Sequence, residues 1–302
     1  MPELPEIETV RSGLEPVLRG RRFVRVEQRR RDLRFPLPDR FAERLTGRRI
    51  TRLDRRAKYI LVHLDKGEVL AVHLGMTGRF SVQLPPAPSP RTSRGEGIQL
   101  GDYTYDHGHD AKHDHLVFTI SGGAVVTYND ARRFGYMTLI PTAEIEQDAF
   151  FRGLGVEPLS DDLNAAYLAR RACGKKVDLK AFLMDQRIIA GLGNIYVCEA
   201  LFRAGLDPWK GAARLATKTG KPTPAAERLV PEIKAVLADA IRAGGSTLRD
   251  YKQANGDIGS FQKEFAVYGR EGEPCARPGC RGTVRRKTQG GRSTFFCPAC
   301  QR

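Results

Sequence analysis

The first ten residues, MPELPEIETV, combine a potential amine nucleophile with nearby carboxylates. If Met1 is removed, Pro2 begins the chain with a free secondary amine. An α-amino group titrates near ~8, so part of it is neutral and nucleophilic at neutral pH. Glu3 lies beside this amine and Glu6 follows one helical turn later, where a carboxylate can transfer protons. Because proline is also common in the first turn of a helix, the segment predicts either amine catalysis or an ordinary helix start.

Four cysteines near the C-terminus have the spacing of a zinc site. The segment CARPGC is followed further along by CPAC, which gives two close pairs. Four thiolates bind Zn²⁺ tetrahedrally and leave no coordination position open, so we expect one structural zinc ion. The first pair is C-x4-C, wider than the commoner C-x2-C. The expected ligands are Cys275, Cys280, Cys297 and Cys300, whereas Cys173 and Cys198 fall in predicted helices and are expected to be buried packing residues.

The charge balance indicates a polyanionic partner. The chain has 302 residues, with 50 Lys and Arg against 35 Asp and Glu and a formal net charge of +15. This length suggests about two domains. A chain this basic most often binds nucleic acid. No run of eighteen apolar residues is present and charges interrupt the N-terminal segment, so neither a membrane span nor a signal peptide is expected. Disulfides are rare in the cytosolic proteins that this pattern favours, which agrees with a metal-binding role for the cysteines.

Apolar periodicity divides the chain into a strand-rich half and a helical half. Residues 5–18 carry apolar positions at helical spacing, so a leading helix is expected to fix the N-terminus. Short apolar runs between about residues 22 and 140, such as YILVHL and HLVFTI, predict a β-sandwich or barrel. Within this half, residues 84–112 begin rich in Pro, Ser and Gly and predict an exposed loop. Helices are predicted beyond residue 150, at 161–172, 177–189, 194–204 and 224–243.

The segment DQRIIAGLGNIYVCEALF predicts two helices joined by a tight turn. The first is expected to end near Ile189, and Asn194 is expected to be the N-cap of the second. The exposed N–H groups of a helix start bind phosphate well. In a strongly basic chain this arrangement favours duplex binding, and an ordinary helical hairpin is the alternative.

The order of several motifs resembles that of bacterial formamidopyrimidine-DNA glycosylases, which belong to the helix-two-turn-helix family. Leu4 favours this branch over the endonuclease VIII branch, whose chains typically begin P-E-G-P-E. The wide first cysteine pair and the long 84–112 loop depart from the family pattern. The motifs, in chain order, are PELPEIETV, RRAKYILVHL, HLGMTG, YNDARRFG, GLGNIYVCEALF and RSTFFCPACQ.

The resemblance implies an α+β, multidomain fold in three parts. Residues 1–140 would form an N-terminal β-sandwich domain with the leading helix and the catalytic N-terminus. Residues 141–264 would form the helical helix-two-turn-helix DNA-binding domain, with a base-capping loop at 246–262. Residues 265–302 would form the four-cysteine zinc finger.

The implied activity is bifunctional excision of oxidised purines, namely 8-oxoguanine and formamidopyrimidines, from damaged double-stranded DNA. Pro2 would attack C1′ of the damaged nucleotide and form a Schiff base, whose positive charge promotes β- and δ-elimination. Glu3 would act as general acid and base, with Glu6 as a supporting carboxylate. Lys58, in RRAKY, would contact phosphate near the lesion. The resemblance also implies a cytoplasmic, nucleoid-associated monomer with one structural Zn²⁺.

Further residues match DNA-binding positions of the family. A flipped base leaves a hole in the duplex that protein side chains must fill. Met76, Arg132 and Phe134 match the residues that fill it, although core packing is the alternative for Met76 and Phe134. Arg292 lies on the hairpin between the cysteine pairs, so the zinc ion would order the hairpin that presents it. The implied phosphate contacts are His73, His113, Arg133, Lys175, Asn194 and Arg292.

Three other functions compete with this interpretation. An endonuclease VIII-like glycosylase would act on oxidised pyrimidines. A non-catalytic zinc-ribbon protein would explain the charge and the cysteines, but not the motif positions of Pro2, Glu3 and Lys58. A metal-dependent nuclease would need clustered Asp, Glu or His ligands, and the candidates for these are His107, His109, His113 and His115.

Overall fold

The computed structural model describes residues 2–85, the backbone of 98–100, and residues 110–246 and 260–302. Most of the predicted 84–112 loop, His107, His109 and most of the predicted base-capping loop lie outside the described residues. The chain divides into one unit of Met1–Arg152 with Ala243–Ser260, and a second unit of Gly153–Arg242 with Phe261–Arg302. Among the described helices, none has the length and apolar character needed to cross a bilayer.

The described residues of the first unit form two antiparallel sheets, a leading helix and a second, short helix. One sheet has the strand order β1-β7-β8-β5-β6 and the other β2-β3-β4-β9. The helices are α1 Leu4–Leu18 and α2 Phe41–Leu45. The strands are β1 Phe23–Gln28, β2 Ile50–Arg56, β3 Tyr59–Leu64, β4 Glu68–His73, β5 Arg79–Gln83, β6 Ile98–Leu100, β7 Asp114–Ile120, β8 Val125–Asn129 and β9 Tyr136–Pro141.

The two sheets enclose one apolar core, which makes this unit a β-sandwich. Ile60 and Val72 from one sheet pack in the same buried cluster as Phe118 and Val126 from the other. Helix α1 adds to this core because its apolar side chains recur every three or four residues and therefore lie on one face. Burial of each such side chain contributes about 1.5–3 kcal/mol, which fixes the helix and the residues before it. The predicted leading helix and sandwich are confirmed.

The second unit combines four helices with a two-stranded ribbon. The helices α4 and α5 are joined by the nine residues 185–193, as expected for a helix-two-turn-helix domain. The ribbon strands pair antiparallel next to the cysteines. The elements are α3 Ala165–Ala172, α4 Leu179–Met184, α5 Asn194–Ala204, α6 Pro224–Arg242, β10 Arg285–Gln289 and β11 Arg292–Phe296.

Helix α4 is much shorter than the predicted helix at 177–189. Asp178 caps its start by accepting a hydrogen bond from Ala181 N, so the helix cannot begin earlier. Beyond Met184, the Gln186 side chain accepts from Gly191 N and donates to the Leu192 carbonyl. These side-chain bonds stabilise a turn where the apolar pattern alone suggested further helix.

Two further expectations about this unit are wrong. The N-cap of α5 is Gly193 rather than Asn194, which is the first residue of the helix. The Asn194 side chain does not cap because it donates to the Ser293 carbonyl at 3.0 Å. Cys198 is buried as expected, but Cys173 is exposed because it follows the last residue of α3.

Candidate active site

The N-terminal residues are held by hydrogen bonds at the start of α1. Pro2 and Glu3 are both buried, and Glu3 is the N-cap of the helix. Glu3 N donates to Glu6 Oε2 at 2.9 Å, which is half of a reciprocal capping box between these two glutamates. The peptide between Pro2 and Glu3 is therefore fixed, and the carboxylates lie where the helix dipole stabilises negative charge.

The other oxygen of Glu6 binds a segment far away in the sequence. Ser246 donates both its backbone N–H and its hydroxyl to Glu6 Oε1, each at 2.8 Å. Glu6 and Ser246 are 2% and 4% exposed. Each hydrogen bond to a buried charged group contributes about 1.5–3 kcal/mol, so this contact is strong. The Glu6 carboxylate thus fixes both the Pro2–Glu3 peptide and the backbone at Ser246.

Lys58 lies on the hairpin turn between β2 and β3 and is only 7% exposed. Arg56 pairs with Tyr59, so Ala57 and Lys58 form a two-residue turn in which Ala57 has a φ of 52°. A positive φ is unfavourable for alanine and needs support from its surroundings. Arg55 provides such support by donating to the Ala57 carbonyl at 3.0 Å. Lys58 is therefore not a solvated surface lysine.

His73 ends β4, directly opposite Tyr59 in the sheet. Its Nδ1 accepts a hydrogen bond from Gly75 N at 3.0 Å, and its ring stacks on Tyr136 with centroids 5.0 Å apart. Burial, followed by the positive charges of Lys58 and Arg34, lowers the pKa of His73 to about 4. The imidazole is thus neutral at neutral pH, and its remaining hydrogen lies on Nε2, which can donate to an anion.

Met76 lies on the turn before β5, and Arg132 and Phe134 lie on the turn between β8 and β9. The two turns touch through their backbones, because a Cβ at Gly75 would lie 2.3 Å from the carbonyl carbon of Phe134. Phe134 is 41% exposed and the Arg132 guanidinium lies 4.6 Å from its ring centroid. The three predicted void-filling side chains thus lie on adjoining turns, and Phe134 is not a core residue.

Two other predicted phosphate contacts lie near these turns. Arg133 has a φ of 54°, and its Nη1 lies 3.8 Å from Asp32 Oδ1. His113 is half-buried in the short 3₁₀ helix Ala111–His113, with its ring centroid 6.4 Å from that of His115. His115 Nε2 contacts the Asp130 carbonyl at 2.9 Å, which leaves this ring poorly placed to bind a metal.

The cysteines of the second unit have the geometry of a tetrahedral zinc site. Their four sulfurs all lie within 4.8 Å of one another, and no other group of this kind occurs among the described residues. The Cys275–Cys300 and Cys280–Cys297 sulfur pairs are 3.8 Å and 3.7 Å apart. A Zn–S bond of about 2.3 Å in a tetrahedron places the sulfurs about 3.8 Å apart, so the site fits zinc.

The wide first cysteine pair contains an arginine that contacts the C-terminal end of α5. Arg277, inside CARPGC, directs its Nη2 at the carbonyls of Phe202 and Arg203 in the last turn of α5. Its guanidinium also lies 5.2 Å from the Phe202 ring centroid. The last carbonyls of a helix lack intrahelical partners, and a cation there complements the helix dipole. The wide pair therefore caps α5 while it still supplies two zinc ligands.

Arg292 begins β11 and is exposed. The two residues after it accept hydrogen bonds from buried side chains. The Ser293 carbonyl accepts from Asn194 Nδ2 at 3.0 Å and from Lys180 Nζ at 3.3 Å. Lys180 Nζ also donates to Thr294 Oγ1 at 2.6 Å and is 1% exposed as a residue. Lys180 is thus a buried lysine that supports the ribbon from the protein interior. Lys175, in contrast, is exposed.

Glu199 on α5 is a structural carboxylate that the sequence reading missed. It is fully buried and accepts hydrogen bonds from the backbone N–H groups of Ala266, Val267 and Tyr268, at 2.8–3.0 Å. These bonds attach the chain that leads into the cysteines to α5. The signal in the sequence was a single glutamate in the otherwise apolar stretch IYVCEALF, which an exposed helix position would also explain.

Comparison with known proteins identifies the family. The N-terminal domain of formamidopyrimidine-DNA glycosylase matches residues 1–137, its H2TH domain matches 154–252, and the zinc finger found in FPG and IleRS matches 272–302. The formamidopyrimidine-DNA glycosylase of Chelativorans sp. (strain BNC1) is 55% identical over the full length of both chains. The chain belongs to the formamidopyrimidine-DNA glycosylase family.

Solved structures of this family have the same fold. The MutM (FPG) protein from Thermus thermophilus is 38% identical, with a TM-score of 0.77 over 99% of this chain and 98% of that chain. The Lactococcus lactis Fpg bound to DNA with an abasic site is 30% identical, with a TM-score of 0.80 over the whole of both chains. The family relationship agrees with the four-cysteine geometry, and the protein has one structural zinc site.

Proposed function

We propose that this protein is a base-excision repair enzyme, a bifunctional DNA glycosylase and AP lyase that removes oxidised purines from double-stranded DNA. Full-length relatives at 53–55% identity carry the name formamidopyrimidine-DNA glycosylase, and structural neighbours are complexes with abasic-site or Fapy-dG DNA. These names favour oxidised purines over the pyrimidine substrates of an endonuclease VIII-like enzyme. The observation that carries the proposal is the fixed N-terminus, where Pro2 adjoins two buried carboxylates.

The chemistry begins with the amine of Pro2 once Met1 is removed. The nitrogen donates its electron pair to C1′, the N-glycosidic bond breaks, and the departing base takes up the proton that the Pro2 nitrogen gives up. Glu3 donates to the sugar oxygen as the ring opens, which leaves an iminium between nitrogen and C1′. The positive nitrogen acidifies the C2′ proton, so its transfer to the Glu3 carboxylate, ionised in the previous step, expels the 3′ phosphate, and a second elimination expels the 5′ phosphate. The two oxygens of Glu6 keep Glu3 and Ser246 in place.

Lys58 and His73 supply phosphate contacts from the first unit. The Lys58 ammonium is confined by burial and by the turn at Ala57, so it offers a charge at a defined position. His73 offers a neutral N–H donor, because its lowered pKa keeps the imidazole uncharged. Exposed Arg133, with His113 beside these turns, extends this basic surface. Phosphate contacts fix the register of a protein on DNA without reading its sequence.

The second unit supplies further phosphate contacts at Arg292, Lys175 and the start of α5 at Asn194. The zinc ion has four thiolate ligands and no open position, so it orders the ribbon that carries Arg292. Buried Lys180 supports the same ribbon. We further propose the domain boundaries 1–140, 141–264 and 265–302, a monomeric state, and a cytoplasmic, nucleoid-associated location for a protein whose partner is damaged DNA.

A non-catalytic zinc-ribbon protein explains the second unit but not the first. Such a protein has no need for a buried lysine on a strained turn, or for a buried glutamate pair next to Pro2. A metal-dependent nuclease is also disfavoured, because the full-length relatives carry the name of a glycosylase and not of a nuclease.

The decisive experiment compares two forms of the protein that differ only at the N-terminus. One form begins at Pro2 and the other retains a short uncleaved tag. With borohydride and an 8-oxoguanine duplex, the Pro2 form should become cross-linked to DNA through its N-terminal peptide. The tagged form should give no cross-link, and Pro2→Gly should lose most of the coupled strand cleavage. A cross-link that maps to Lys58 would overturn the assignment of the nucleophile.

A further inference from the structure

Asp130, in the turn after β8, is a fully buried carboxylate at the base of the two adjoining turns. Its Oδ1 accepts from the Thr77 hydroxyl at 2.5 Å, and its Oδ2 accepts from Gly135 N at 2.8 Å and from the Tyr128 hydroxyl at 3.2 Å. Three donors directed at one buried carboxylate form a strong network, because each bond to a charged acceptor exceeds an ordinary hydrogen bond.

The Thr77 hydroxyl connects one turn to the other. It donates to Asp130 and also accepts from the backbone N–H of Arg132 at 3.1 Å. Thr77 follows Met76 in the chain, and Arg132 lies two residues before Phe134. A single hydroxyl therefore fixes the turn of Met76 relative to the turn that carries Arg132 and Phe134.

Close backbone packing leaves these turns little other freedom. A Cβ at Gly135 would lie 1.9 Å from the Tyr128 hydroxyl oxygen and 2.8 Å from the His73 carbonyl oxygen. A Cβ at Gly75 would overlap the Phe134 backbone in the same way. Packing thus sets the separation of the turns, and the Thr77 hydroxyl sets how the backbone at Arg132 is aligned with the turn of Met76.

We propose that Thr77 and Asp130 are positioning residues for extrusion of the damaged base. This inference rests on the proposed function, in which Met76, Arg132 and Phe134 fill the hole that the base leaves. Three side chains that enter one hole must keep fixed positions relative to one another. Displacements of about 1 Å in such arrangements can slow the reaction strongly. Thr77 itself does not touch the reacting atoms. Its effect is transmitted through the alignment of the two turns.

The test is Thr77→Val, which removes the hydroxyl and keeps the shape of the side chain. Single-turnover excision of 8-oxoguanine opposite cytosine should slow on the order of tenfold, as expected from loss of a hydrogen bond to a charged group. Nicking of an abasic-site duplex, where there is no base to extrude, should slow far less. Thr77→Ser should restore the rate of excision. The matched control is Thr46→Val, which removes a hydroxyl bonded to the Ala42 carbonyl in the same unit and should change neither rate.

A fluorescent base analogue next to the lesion adds a direct readout of extrusion, and its signal should develop more slowly with Thr77→Val. Equal slowing on both substrates with a lowered melting temperature would overturn the inference, because Thr77 would then be merely structural. Arg132→Ala separates this inference from the proposal beneath it. If Arg132→Ala is selective for the damaged base and Thr77→Val is not, only the positioning inference fails. If Arg132→Ala slows both substrates equally, the void-filling assignment fails and the inference falls with it.

Discussion

The two units hold their functional residues by different physical means. In the first unit, buried carboxylates accept hydrogen bonds from the segments that carry functional residues, as Glu6 does for Glu3 and Ser246. In the second unit, four thiolates around a metal site hold the ribbon of Arg292, with Lys180 bonded beneath it. A hydrogen-bonded carboxylate loses its hold when a partner side chain is changed, whereas a zinc site loses its hold when the metal is removed. The two units should therefore fail under different conditions.

The difference follows from the amount of core that each segment can bury. The sandwich has a large continuous apolar core drawn from both sheets and α1. The apolar cluster at the cysteines is small and includes Cys275 and Cys297 themselves. Small segments cannot bury enough apolar surface to be stable alone, and metals commonly make up the deficit. Zinc is thus needed at a segment whose own apolar core is small.

The strongest test of this contrast is removal of the metal. Cys297→Ser should release zinc and weaken binding to an abasic-site duplex about 100-fold, because Arg292 and its neighbours lose their fixed ribbon. The reactivity of Pro2 should persist, so borohydride cross-linking at saturating protein should still occur. Metal content by mass spectrometry and binding by fluorescence anisotropy are the measurements.

Arg292→Ala is the companion variant, since it should retain zinc. It should weaken binding less and reduce the slope of log affinity against log salt by about one counterion. Unchanged affinity and salt slope after zinc loss would contradict the contrast, and the cysteines would then serve folding alone.

A second test perturbs the first unit without touching the metal. Glu6→Gln keeps the shape of the side chain but replaces one acceptor oxygen with an NH₂ group, which then faces the N–H donors of Glu3 or Ser246. Unfolding free energy should fall by about 2–3 kcal/mol and cross-linking should slow about tenfold, with zinc content unchanged. Glu43→Gln is the control, because within the described part of the chain that exposed glutamate pairs only with Arg40, and its loss should change stability by less than about 0.5 kcal/mol. A normal cross-linking rate in Glu6→Gln would show that Pro2 does not depend on this carboxylate.

The smallest expected effect concerns protons and His73. Its pKa is about 4 in the folded chain against 6.5 ordinarily, so between these values the unfolded chain binds the extra proton. The stability that His73 contributes is therefore present above pH 6.5 and is lost as the pH falls towards 4. Because the ring is partly exposed, we expect a loss of about 1 kcal/mol between about pH 7 and 5. Denaturant unfolding should show this loss, and His73→Gln should reduce it. An identical pH dependence in that variant would assign the loss to other groups.

Elements whose pattern is local were predictable from the sequence. The strand Tyr59–Leu64 and the helix Asn194–Ala204 have the predicted bounds, because β-branched runs and apolar 3.6-residue periodicity are local signals. The zinc site followed from cysteine spacing, which is also local. The assignment of catalytic and DNA-binding residues came from resemblance to a family, and those roles stay predictions.

What the sequence could not provide are contacts between distant segments. Glu6 and Ser246 are separated by 240 positions, and Lys180 and Ser293 by 113. Lys58 and Lys180 are both buried. Nothing in the sequence distinguishes these two lysines from lysines on the surface. Asn194 was expected to cap α5 because asparagine favours that position, but a tertiary contact with Ser293 outweighed the local preference.

The three backbone N–H hydrogen bonds that Glu199 accepts have a consequence for the zinc finger when its metal is absent. They attach residues 266–268 to α5 and involve no sulfur atom, so departure of zinc leaves this anchor intact. Slow hydrogen exchange at these amides in metal-free protein would report the surviving attachment. Gln301 Nε2 donates to the Leu206 carbonyl just after α5, so both ends of the cysteine segment would remain attached, at a high effective concentration for the returning ion. Zinc could thus be lost and bound again through local rearrangement of the cysteine segment, without unfolding of the rest of the protein.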